Sequence, residues 1–333
     1  MITLAIETSC DETAAAIIKD GRDVISNVVS SQAEVHRLYG GVVPEIASRH
    51  HLEQINYIIE CALTEAGLGV SEVDLIGVTE GPGLVGALLV GLATAKAIAF
   101  AMKKPIVGVN HIWAHVSANY IVHRELKPPF MGIIVSGGHT NIVKVKGYND
   151  IQVLGRTRDD AAGEAFDKVA RVLGLDYPGG PAVDAAAKHG DPGAIAFKRV
   201  LLEKDSFDFS FSGLKTGVLN YLNTEKQAGR SINISDVAAS FQQAVVDVIV
   251  TKALSAARIY GEEKLVMAGG VAANSVLRKA LGQACKDNGV ALYYPTLELC
   301  TDNAAMIGVA AYYKFLEFGE DALDLDALPN LKN

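Results

Sequence analysis

The chain has 333 residues, half of them hydrophobic, and a formal net charge of −8 at pH 7. That length is typical of two lobes of ordinary domain size, and the apolar content excludes a disordered chain. The acidic balance argues against a protein that coats itself in nucleic acid, although it leaves room for a local basic patch.

Cysteine usage and the start of the chain favour a reducing compartment. No cysteines lie at the spacing of a metal-ligand pair, and no disulfide framework is indicated. The first residues lack the basic region and cleavage site of a secretion signal. The apolar run at 85–102 contains Thr94 and Lys96 and predicts a buried core helix, not a membrane span. We therefore expect a cytoplasmic protein with no membrane segment. The four cysteines are Cys10, Cys61, Cys285 and Cys300.

The first half of the chain predicts three strands followed by alternating helices and strands. Asp20-Gly21 is a hairpin turn between the second and third strands, and Pro44 marks the start of the first long helix. The predicted order is βββαβαβα. The strands lie at 2–8, 13–19 and 24–30, followed by a helix at 45–66, a strand at 75–79, a helix at 85–102, a strand at 106–109 and a final helix.

The second half of the chain predicts the same order, interrupted by an insertion at 176–236 that is rich in Gly, Lys and Arg. We expect this insertion to form an accessory helical or loop region. The remaining elements are strands at 131–135, 141–145 and 151–156, helices at 163–173 and 237–259, a strand at 265–268, a helix at 274–288, a strand at 291–294 and a helix at 303–318.

Two βββαβαβα lobes around a central cleft are the layout of the superfamily of actin, hexokinase and Hsp70. The predicted fold is therefore α/β and actin-like (ASKHA), with duplicated lobes. We expect an N-terminal lobe at 1–126 and a C-terminal lobe at 127–301. The last helix, at about 302–319, is expected to pack back onto the N-terminal lobe.

His111 and His115 lie four residues apart, directly after a predicted strand. A helix that begins near Asn110 puts both imidazoles on one face, where they make half of a metal site. The alternative is that one histidine caps the helix and the other packs in the core. Ile112 stands where a zinc protease carries its catalytic Glu, which disfavours a hydrolytic enzyme.

Asp302 is the candidate for a third metal ligand, because it follows the last predicted strand and opens the final helix. Its alternative role is a helix N-cap or a carboxylate in the first turn. Two imidazoles and one carboxylate would leave open positions on the metal. That arrangement suits Fe(II) or Zn(II) holding a substrate.

Two turns occupy matching positions in the two halves, between the first and second strands. The turn at 136–140 contains two glycines, which let backbone N–H groups approach a phosphate closely. The alternative is a simple hairpin turn. In the turn at 9–13, Asp11 and Glu12 need a cation or a protonated partner to contact phosphate, and they are candidates to orient an amine or a water molecule.

Other strand ends carry further candidate ligands. Asn274 follows a Gly-Gly turn and is placed either to bind a ribose or to cap a helix. Asp184 follows the turn at 178–181 and is a candidate for a ribose diol. Asp167 and Glu164 share a helix face, and their alternative role is a solvated face with basic neighbours.

Six segments together resemble one known family. They are Ala-Ile-Glu-Thr-Ser-Cys-Asp-Glu-Thr, His-Ile-Trp-Ala-His, Val-Ser-Gly-Gly-His-Thr, Gly-Glu-Ala-Phe-Asp-Lys, Tyr-Pro-Gly-Gly-Pro and Gly-Gly-Val-Ala-Ala-Asn. In this order they are similar to the tRNA N6-adenosine threonylcarbamoyltransferases of the bacterial TsaD type. The resemblance covers nearly the whole chain. It implies an actin-like fold and a cytoplasmic enzyme that modifies the adenosine 3′-adjacent to the anticodon.

The resemblance also implies roles for particular residues. The metal ligands would be His111, His115 and Asp302. The contacts to threonylcarbamoyl-AMP, the donor of the transferred group, would come from these residues: Val135, Ser136, Gly137, Gly138, His139, Asp167, Gly180, Asp184 and Asn274.

Such a reaction needs positioning and charge stabilisation, because an exocyclic adenine amine is a poor nucleophile. A Lewis-acid metal suits this task, and Asp11 or Glu12 is the candidate acceptor of the amine proton. The resemblance implies tRNA as substrate, with TsaB and the ATPase TsaE as partners. The candidate basic contacts to tRNA are Arg156, Arg158, Lys198, Arg199, Lys204 and Lys215.

Two rival functions fit parts of this pattern. A small-molecule kinase of the same superfamily would use the same phosphate turns and consume ATP, but it leaves the histidine pair unexplained. A nucleotide-gated scaffold in the manner of Hsp70 would form no covalent product and would need an appended peptide-binding region.

Overall fold

The computed structural model describes residues 1–201, 203 and 206–331. The chain consists of two compact units. The first unit comprises Met1–Pro128, Gly147–Ile151 and Pro295–Asn333, and the second comprises Pro129–Lys146 and Gln152–Tyr294.

The first unit is built on a five-stranded sheet in the order β3-β2-β1-β4-β5. The first three strands are antiparallel neighbours, whereas β4 and β5 run parallel to β1. Its elements are β1 (Ile2–Glu7), β2 (Glu12–Lys19), β3 (Asp23–Ser31), α1 (Ala33–Arg37), α2 (Pro44–Ala66), β4 (Leu75–Gly81), α3 (Val85–Met102), β5 (Ile106–Asn110) and α4 (His111–Val122).

The second unit contains a five-stranded sheet in the order β10-β9-β6-β7-β8. The β6–β7 hairpin is antiparallel, and β9 runs parallel to β6. Its elements are β6 (Phe130–Val135), β7 (Thr140–Val145), β8 (Ile151–Arg156), α5 (Ala162–Leu173), α6 (Gly179–Ala187), α7 (Ser212–Gln227), α8 (Ile234–Tyr260), β9 (Lys264–Ala268), α9 (Ser275–Asp287) and β10 (Ala291–Tyr293).

The last helix of the chain, α10 (Ala304–Phe318), belongs to the first unit and packs against β1, β2, β4 and α4. Gly308 allows the helix to approach the sheet closely, since a Cβ at that position would lie 2.6 Å from the Ile18 side chain. Hydrophobic residues of α2 and α3, among them Ile55 and Leu92, join those of β1 in a core cluster.

The turns and helix starts follow from local residue chemistry. Asp20 and Gly21 both adopt positive φ, at 50° and 71°, which is the geometry that a two-residue hairpin turn demands. Pro44 occupies the first turn of α2, and Gly67 ends that helix in the left-handed conformation. The hairpin turn and the helix start that were expected here are confirmed.

Helix α3 differs from the expected core helix, because only one side of it is buried. Leu92, Ala95 and Ala99 pack into the core, whereas Val85 and Phe100 are 56% and 76% exposed. Two helices, α3 and α8, are long and apolar enough to cross a bilayer by length and composition alone. Within the apolar window, 72% of α8 but only 33% of α3 is buried inside the protein. The core helices of other proteins can have the same length and apolar composition, so this property alone is weak support for a membrane span.

Candidate functional site

The amino end of α4 presents two imidazoles from the first unit. Asn110 caps this helix, since its Oδ1 accepts hydrogen bonds from the backbone N–H of Ile112 at 2.9 Å and of Trp113 at 3.2 Å. The His111 and His115 rings lie with centroids 4.8 Å apart, nearly perpendicular at 79°. The alternative in which a histidine caps the helix is therefore wrong.

Asp302 completes a group of three side chains that could hold a metal ion, which we call the metal-binding group. Its neighbour Asn303 caps α10 by accepting from the Met306 N–H at 3.0 Å, so Asp302 is not the N-cap. Instead, its Oδ1 lies 3.5 Å from His111 Nε2 and 3.2 Å from His115 Nε2. One ligand atom from each side chain lies within 4.8 Å of the others.

The donor set fits a single metal ion. His115 is 1% exposed, and neither of its ring nitrogens has a hydrogen-bond partner among the described residues, because the short contact to Asp302 lacks hydrogen-bond geometry. A buried nitrogen without a partner is costly unless an ion uses its lone pair. Bonds of about 2.1 Å place neighbouring ligand atoms roughly 3.0–3.4 Å apart, close to the separations from Asp302.

Glu7 is a buried carboxylate that the sequence analysis did not identify. Its Oε2 lies 2.9 Å from His111 Nδ1 and accepts from the Thr79 hydroxyl at 2.7 Å, while Oε1 accepts from the Ser9 N–H. A carboxylate behind a ligating imidazole fixes its tautomer and directs the other nitrogen to the metal. A charged residue at the end of an apolar strand was the signal in the sequence.

Charges inside this group shift the pKa values of its members. Burial acts to raise the pKa of Glu7, but the His111 imidazole and the hydrogen bonds outweigh it, and the pKa is lowered. Burial acts to lower the pKa of His111, but the carboxylates of Asp302 and Glu7 raise it to about 9. At neutral pH the metal-free His111 ring therefore carries protons on both nitrogens, and a bound ion must displace one of them.

The turn between β1 and β2 lies against the metal-binding group. The Ser9 hydroxyl is 3.1 Å from His111 Nδ1. Burial and the carboxylates of Asp302 and Asp11 raise the pKa of Glu12 well above its usual value. The turn thus gathers negative charge, which suits a cation or an amine and not a bare phosphate.

The turn between β6 and β7, in the second unit, is open on one side. Ser136 and His139 close it, since the Ser136 N–H donates to the His139 carbonyl at 2.8 Å. A Cβ on Gly137 or Gly138 would meet nothing within 4 Å. The backbone of this turn is therefore accessible to a ligand.

Two further glycines bring neighbouring segments against this turn. A Cβ on Gly163, in the first turn of α5, would lie 2.6 Å from the Ser136 carbonyl oxygen. Gly269, with φ of 91°, would carry a Cβ 2.5 Å from the Val135 carbonyl oxygen. Only glycine permits both approaches. Sequence reasoning missed the role of Gly163, whose contact partner is distant in the chain.

Asp184 and Asn274 lie close together. The Ser275 hydroxyl donates to Asp184 Oδ1 at 2.9 Å, and Asn274 Nδ2 is 3.4 Å from the same oxygen. Asn274 also caps α9 through the Leu277 N–H at 2.9 Å and donates to Gln242 Oε1 at 2.8 Å. The helix-cap alternative for Asn274 is therefore correct, and Gln242 is a member of this network that the sequence did not indicate.

Asp167 and Gly180 lie at the start of α6. Asp167 Oδ1 accepts from the Gly179 N–H at 2.7 Å, which holds this helix start against α5. Glu164 instead pairs with Lys168 at 2.9 Å. A Cβ on Gly180 would meet nothing within 4 Å, so the first turn of α6 is also accessible.

Two of the six expected tRNA contacts form ion pairs within the second unit. Arg158 pairs with Glu203 at 3.0 Å and with Asp208 at 2.9 Å. Arg199 pairs with Asp247 at 2.9 Å. Lys204 lies outside the described residues. Of the other candidates, Arg156 and Lys198 are exposed, and Lys215 is half-buried on α7.

Comparison with known sequences identifies the family. The sequence model of TsaD, tRNA N6-adenosine threonylcarbamoyltransferase, matches residues 23–309. The chain belongs to this family. It is 57% identical over 332 residues to the tRNA N6-adenosine threonylcarbamoyltransferase of Clostridioides difficile, covering 100% of this chain and 98% of that protein. It is 55% identical to the enzyme of that name from Clostridium beijerinckii, covering 99% and 98%.

Solved structures of low sequence identity share the fold. Full-length HypF in its phosphate- and nucleotide-bound form superposes with a TM-score of 0.63 at 15% identity, covering 96% of this chain and 47% of that one. The ADPNP-bound activator of 2-hydroxyisocaproyl-CoA dehydratase from Clostridium difficile gives 0.56 at 15% identity, covering 95% and 96%. These neighbours are actin-like ASKHA proteins, which confirms the predicted fold class.

Proposed function

We propose that this protein transfers the threonylcarbamoyl group of threonylcarbamoyl-AMP to N6 of the adenosine 3′-adjacent to the anticodon. The substrates are cytoplasmic tRNAs that read ANN codons, and the product is N6-threonylcarbamoyladenosine. The observation that carries the proposal is the 57% identity over 332 residues to an enzyme named for this reaction. The geometry of the first unit supplies groups suited to the chemistry.

His111, His115 and Asp302 would hold one divalent metal ion, with Glu7 fixing the His111 ring. The ion would act as a Lewis acid on the transferred group. Iron(II) is the metal we propose and zinc(II) the alternative, since two imidazoles and one carboxylate suit both. Elemental analysis of protein purified without oxygen distinguishes them.

Side chains of the protein would accept the proton, and side chains and backbone together would hold the donor. The amine of adenosine forms the new C–N bond, AMP leaves, and the amine proton passes to Asp11 or Glu12. The turn from Ser136 to His139 would hold the phosphate of the donor through the backbone N–H groups of Gly137 and Gly138. Asp184, oriented by Asn274, would bind the ribose hydroxyls, and Asp167 and Gly180 would shape the accessible start of α6.

The decisive experiment is mass spectrometry of nucleosides from tRNA after incubation with this chain, its partners and threonylcarbamoyl-AMP. We expect one threonylcarbamoyl group on adenosine. Formation of ADP from ATP and a small acceptor, without modified tRNA, would instead support the rival kinase function.

We further propose TsaB as a structural partner, with TsaE as the associated ATPase. The exposed apolar side of α3 is a suitable docking surface, since Val85, Leu89 and Phe100 are 56%, 47% and 76% exposed. Leu89→Glu should abolish co-purification with TsaB, whereas the reversal Lys286→Glu on α9 should leave it unchanged. Co-purification of Leu89→Glu at the unaltered level would contradict this docking surface.

Binding of tRNA is expected to be weak for this acidic chain alone and stronger with its partners. Because Arg158 and Arg199 are used in ion pairs, we propose Lys198, Lys215 and Arg156 as the contacts. The double variant Lys198→Glu, Lys215→Glu should reduce transfer to tRNA and its salt dependence. Any tRNA-independent hydrolysis of the donor should survive. Joint loss of both activities in a folded variant would contradict this assignment.

A further inference from the structure

Two histidines outside the metal-binding group are completely buried. His36 and His51 are each 0% exposed, and Gln32, which lies between them, is 4% exposed. All three belong to the first unit. Their hydrogen bonds lead to the turn that carries Asp11.

His51 has a defined tautomer. Its Nε2 lies 2.9 Å from the Cys10 carbonyl oxygen, which can only accept, so Nε2 carries the proton. Its Nδ1 then accepts from the Thr13 hydroxyl at 2.8 Å. The Gln32 N–H donates to the Asp11 carbonyl at 2.9 Å. The carbonyl groups on both sides of the Asp11 α-carbon are therefore held from within the protein.

His36 extends this network and orients Gln32. The Val43 N–H donates to His36 Nδ1 at 3.3 Å, so His36 Nε2 donates to Gln32 Oε1 at 3.2 Å. The amide nitrogen of Gln32 consequently faces the Ala47 carbonyl at 3.4 Å and His51 Nδ1 at 3.5 Å. The lone pair of His51 Nδ1 is used by the Thr13 hydroxyl, so the Gln32 amide donates to the Ala47 carbonyl and lies beside the His51 ring.

This chain of hydrogen bonds requires both rings to be neutral. Burial lowers the pKa of His36 and of His51, although the Asp11 carboxylate opposes the shift in both rings and Glu7 opposes it in His51. The neighbouring His50 acts in the same direction as burial. A second proton on His36 would face the Val43 N–H and break the chain.

We propose that His51 is a positioning residue for Asp11: its Nε2–H holds the carbonyl of the Cys10–Asp11 peptide group so that the Asp11 carboxylate meets the reacting amine. This inference rests on the proposed function, in which Asp11 or Glu12 accepts the amine proton. A residue that only filled space would need neither a directed N–H nor a single tautomer. Misplacement of a reacting group by about 1 Å costs about a hundredfold in rate, so the loss should appear in kcat and not in KM.

The test compares two substitutions of equal length, His51→Met and His51→Gln. Glutamine returns an N–H near the position of Nε2, whereas methionine does not. With tRNA, partners and threonylcarbamoyl-AMP, we expect His51→Met to lower kcat about tenfold to a hundredfold, with KM and metal content unchanged. His51→Gln should recover most of that loss. Equal activity of the two variants, or an unchanged kcat in His51→Met, would overturn the proposal.

A double variant separates positioning from general damage to the fold. Because His51 acts through Asp11, adding His51→Met to Asp11→Asn should cost little beyond Asp11→Asn alone. Multiplied losses would overturn the proposal. The adjacent His50→Met is the control and should stay within about twofold of the unaltered protein.

Two further experiments apply if His51→Met does not fold or if the proposed function fails. If His51→Met does not fold, Thr13→Val removes the hydrogen bond to Nδ1 and should lower kcat about fivefold, and an unchanged kcat would again overturn the proposal. Nitrogen-15 NMR of the histidine rings, which needs no activity, should show the Nε2–H tautomer at His51. If the unaltered protein makes no product, the proposed function fails, whereas the Nδ1–H tautomer rejects the positioning role alone.

Discussion

The candidate site of the first unit is made from side chains, whereas that of the second unit is made mainly from backbone. In the first unit, side chains converge: two buried imidazoles, the partly buried Asp302 carboxylate and, behind them, the buried Glu7. In the second unit, the backbone of the turn at Gly137 and Gly138 is accessible and few side chains intervene. The first arrangement fixes charges in advance, whereas the second leaves N–H groups accessible to an anion.

This difference predicts different consequences of mutation. Buried charges are tolerable only with their partners, so removal of one partner disturbs the others. An accessible glycine backbone has no such dependence, and a side chain added there should obstruct only the ligand. Variants of the metal-binding group should therefore alter metal content and kcat, and variants of the turn at Gly137 and Gly138 should alter ligand affinity.

The largest effect is expected for His111→Ala. Loss of this ligand should remove the metal and lower transfer to tRNA about a thousandfold or more, since Lewis-acid catalysis contributes several kcal/mol. Elemental analysis and single-turnover rates measure the two effects. Undiminished metal in the variant would exclude this site.

Gly137→Val tests the second arrangement. The new side chain has space within the protein, because a Cβ there meets nothing within 4 Å, but it should block close approach of a phosphate. We expect affinity for AMP or ATP to fall about tenfold to a hundredfold with an unchanged melting temperature. Calorimetric titration measures this, with Gly282→Ala as the control. Unchanged affinity would contradict the phosphate-binding turn.

Glu7→Gln sharpens the contrast, because it changes no metal ligand. The amide binds the His111 ring less strongly, so metal affinity should fall about tenfold. Excess metal ion should then restore most of the transfer activity, unlike in His111→Ala. Competition with a chelator measures the affinity. Equal metal affinity in both proteins would mean that Glu7 does not support the ligand.

The smallest effect concerns pH and the buried His51. Burial lowers its pKa in the folded protein, so below about pH 6.5 the unfolded chain binds a proton that the folded chain does not. The contribution of neutral His51 to the free energy of unfolding is complete above about pH 6.5 and is lost as the pH falls towards the lowered pKa of the folded protein. Urea denaturation at several pH values should show a weaker loss in His51→Gln, by a fraction of a kcal/mol. An identical pH dependence of stability in His51→Gln and in the unaltered protein would contradict the lowered pKa of His51.

Local patterns in the sequence predicted most of the framework. Asp20-Gly21, Pro44 and the alternating apolar strands specify the hairpin and the helix starts without any distant contact. The pairing of His111 with His115 could also be predicted from neighbouring residues alone, because they lie four residues apart. Asp302 followed only because a carboxylate at a strand end is a common ligand, and its distance from both rings confirms that the three side chains meet.

What the sequence left unpredicted depends on distant contacts. Glu7 meets His111 across the sheet, and Gly163 meets the turn at Ser136, but neither pairing leaves a periodic pattern. The exposed side of α3 was mistaken for core because apolar composition is the same for a buried helix and for a docking surface. Similarly, the sequence did not indicate that Arg158, a predicted tRNA contact, forms ion pairs with Glu203 and Asp208.

The place of α10 in the first unit has a consequence for how the protein is made. A ribosome releases both imidazoles long before Asp302, because more than half of the chain lies between them. At about 5–20 residues per second, the carboxylate and the helix that covers β1 emerge about ten seconds or more later. A metal ion that needs all three side chains could therefore bind only late, and a chain that ends before Asp302 lacks both this candidate ligand and α10, which forms part of the surface that buries its sheet.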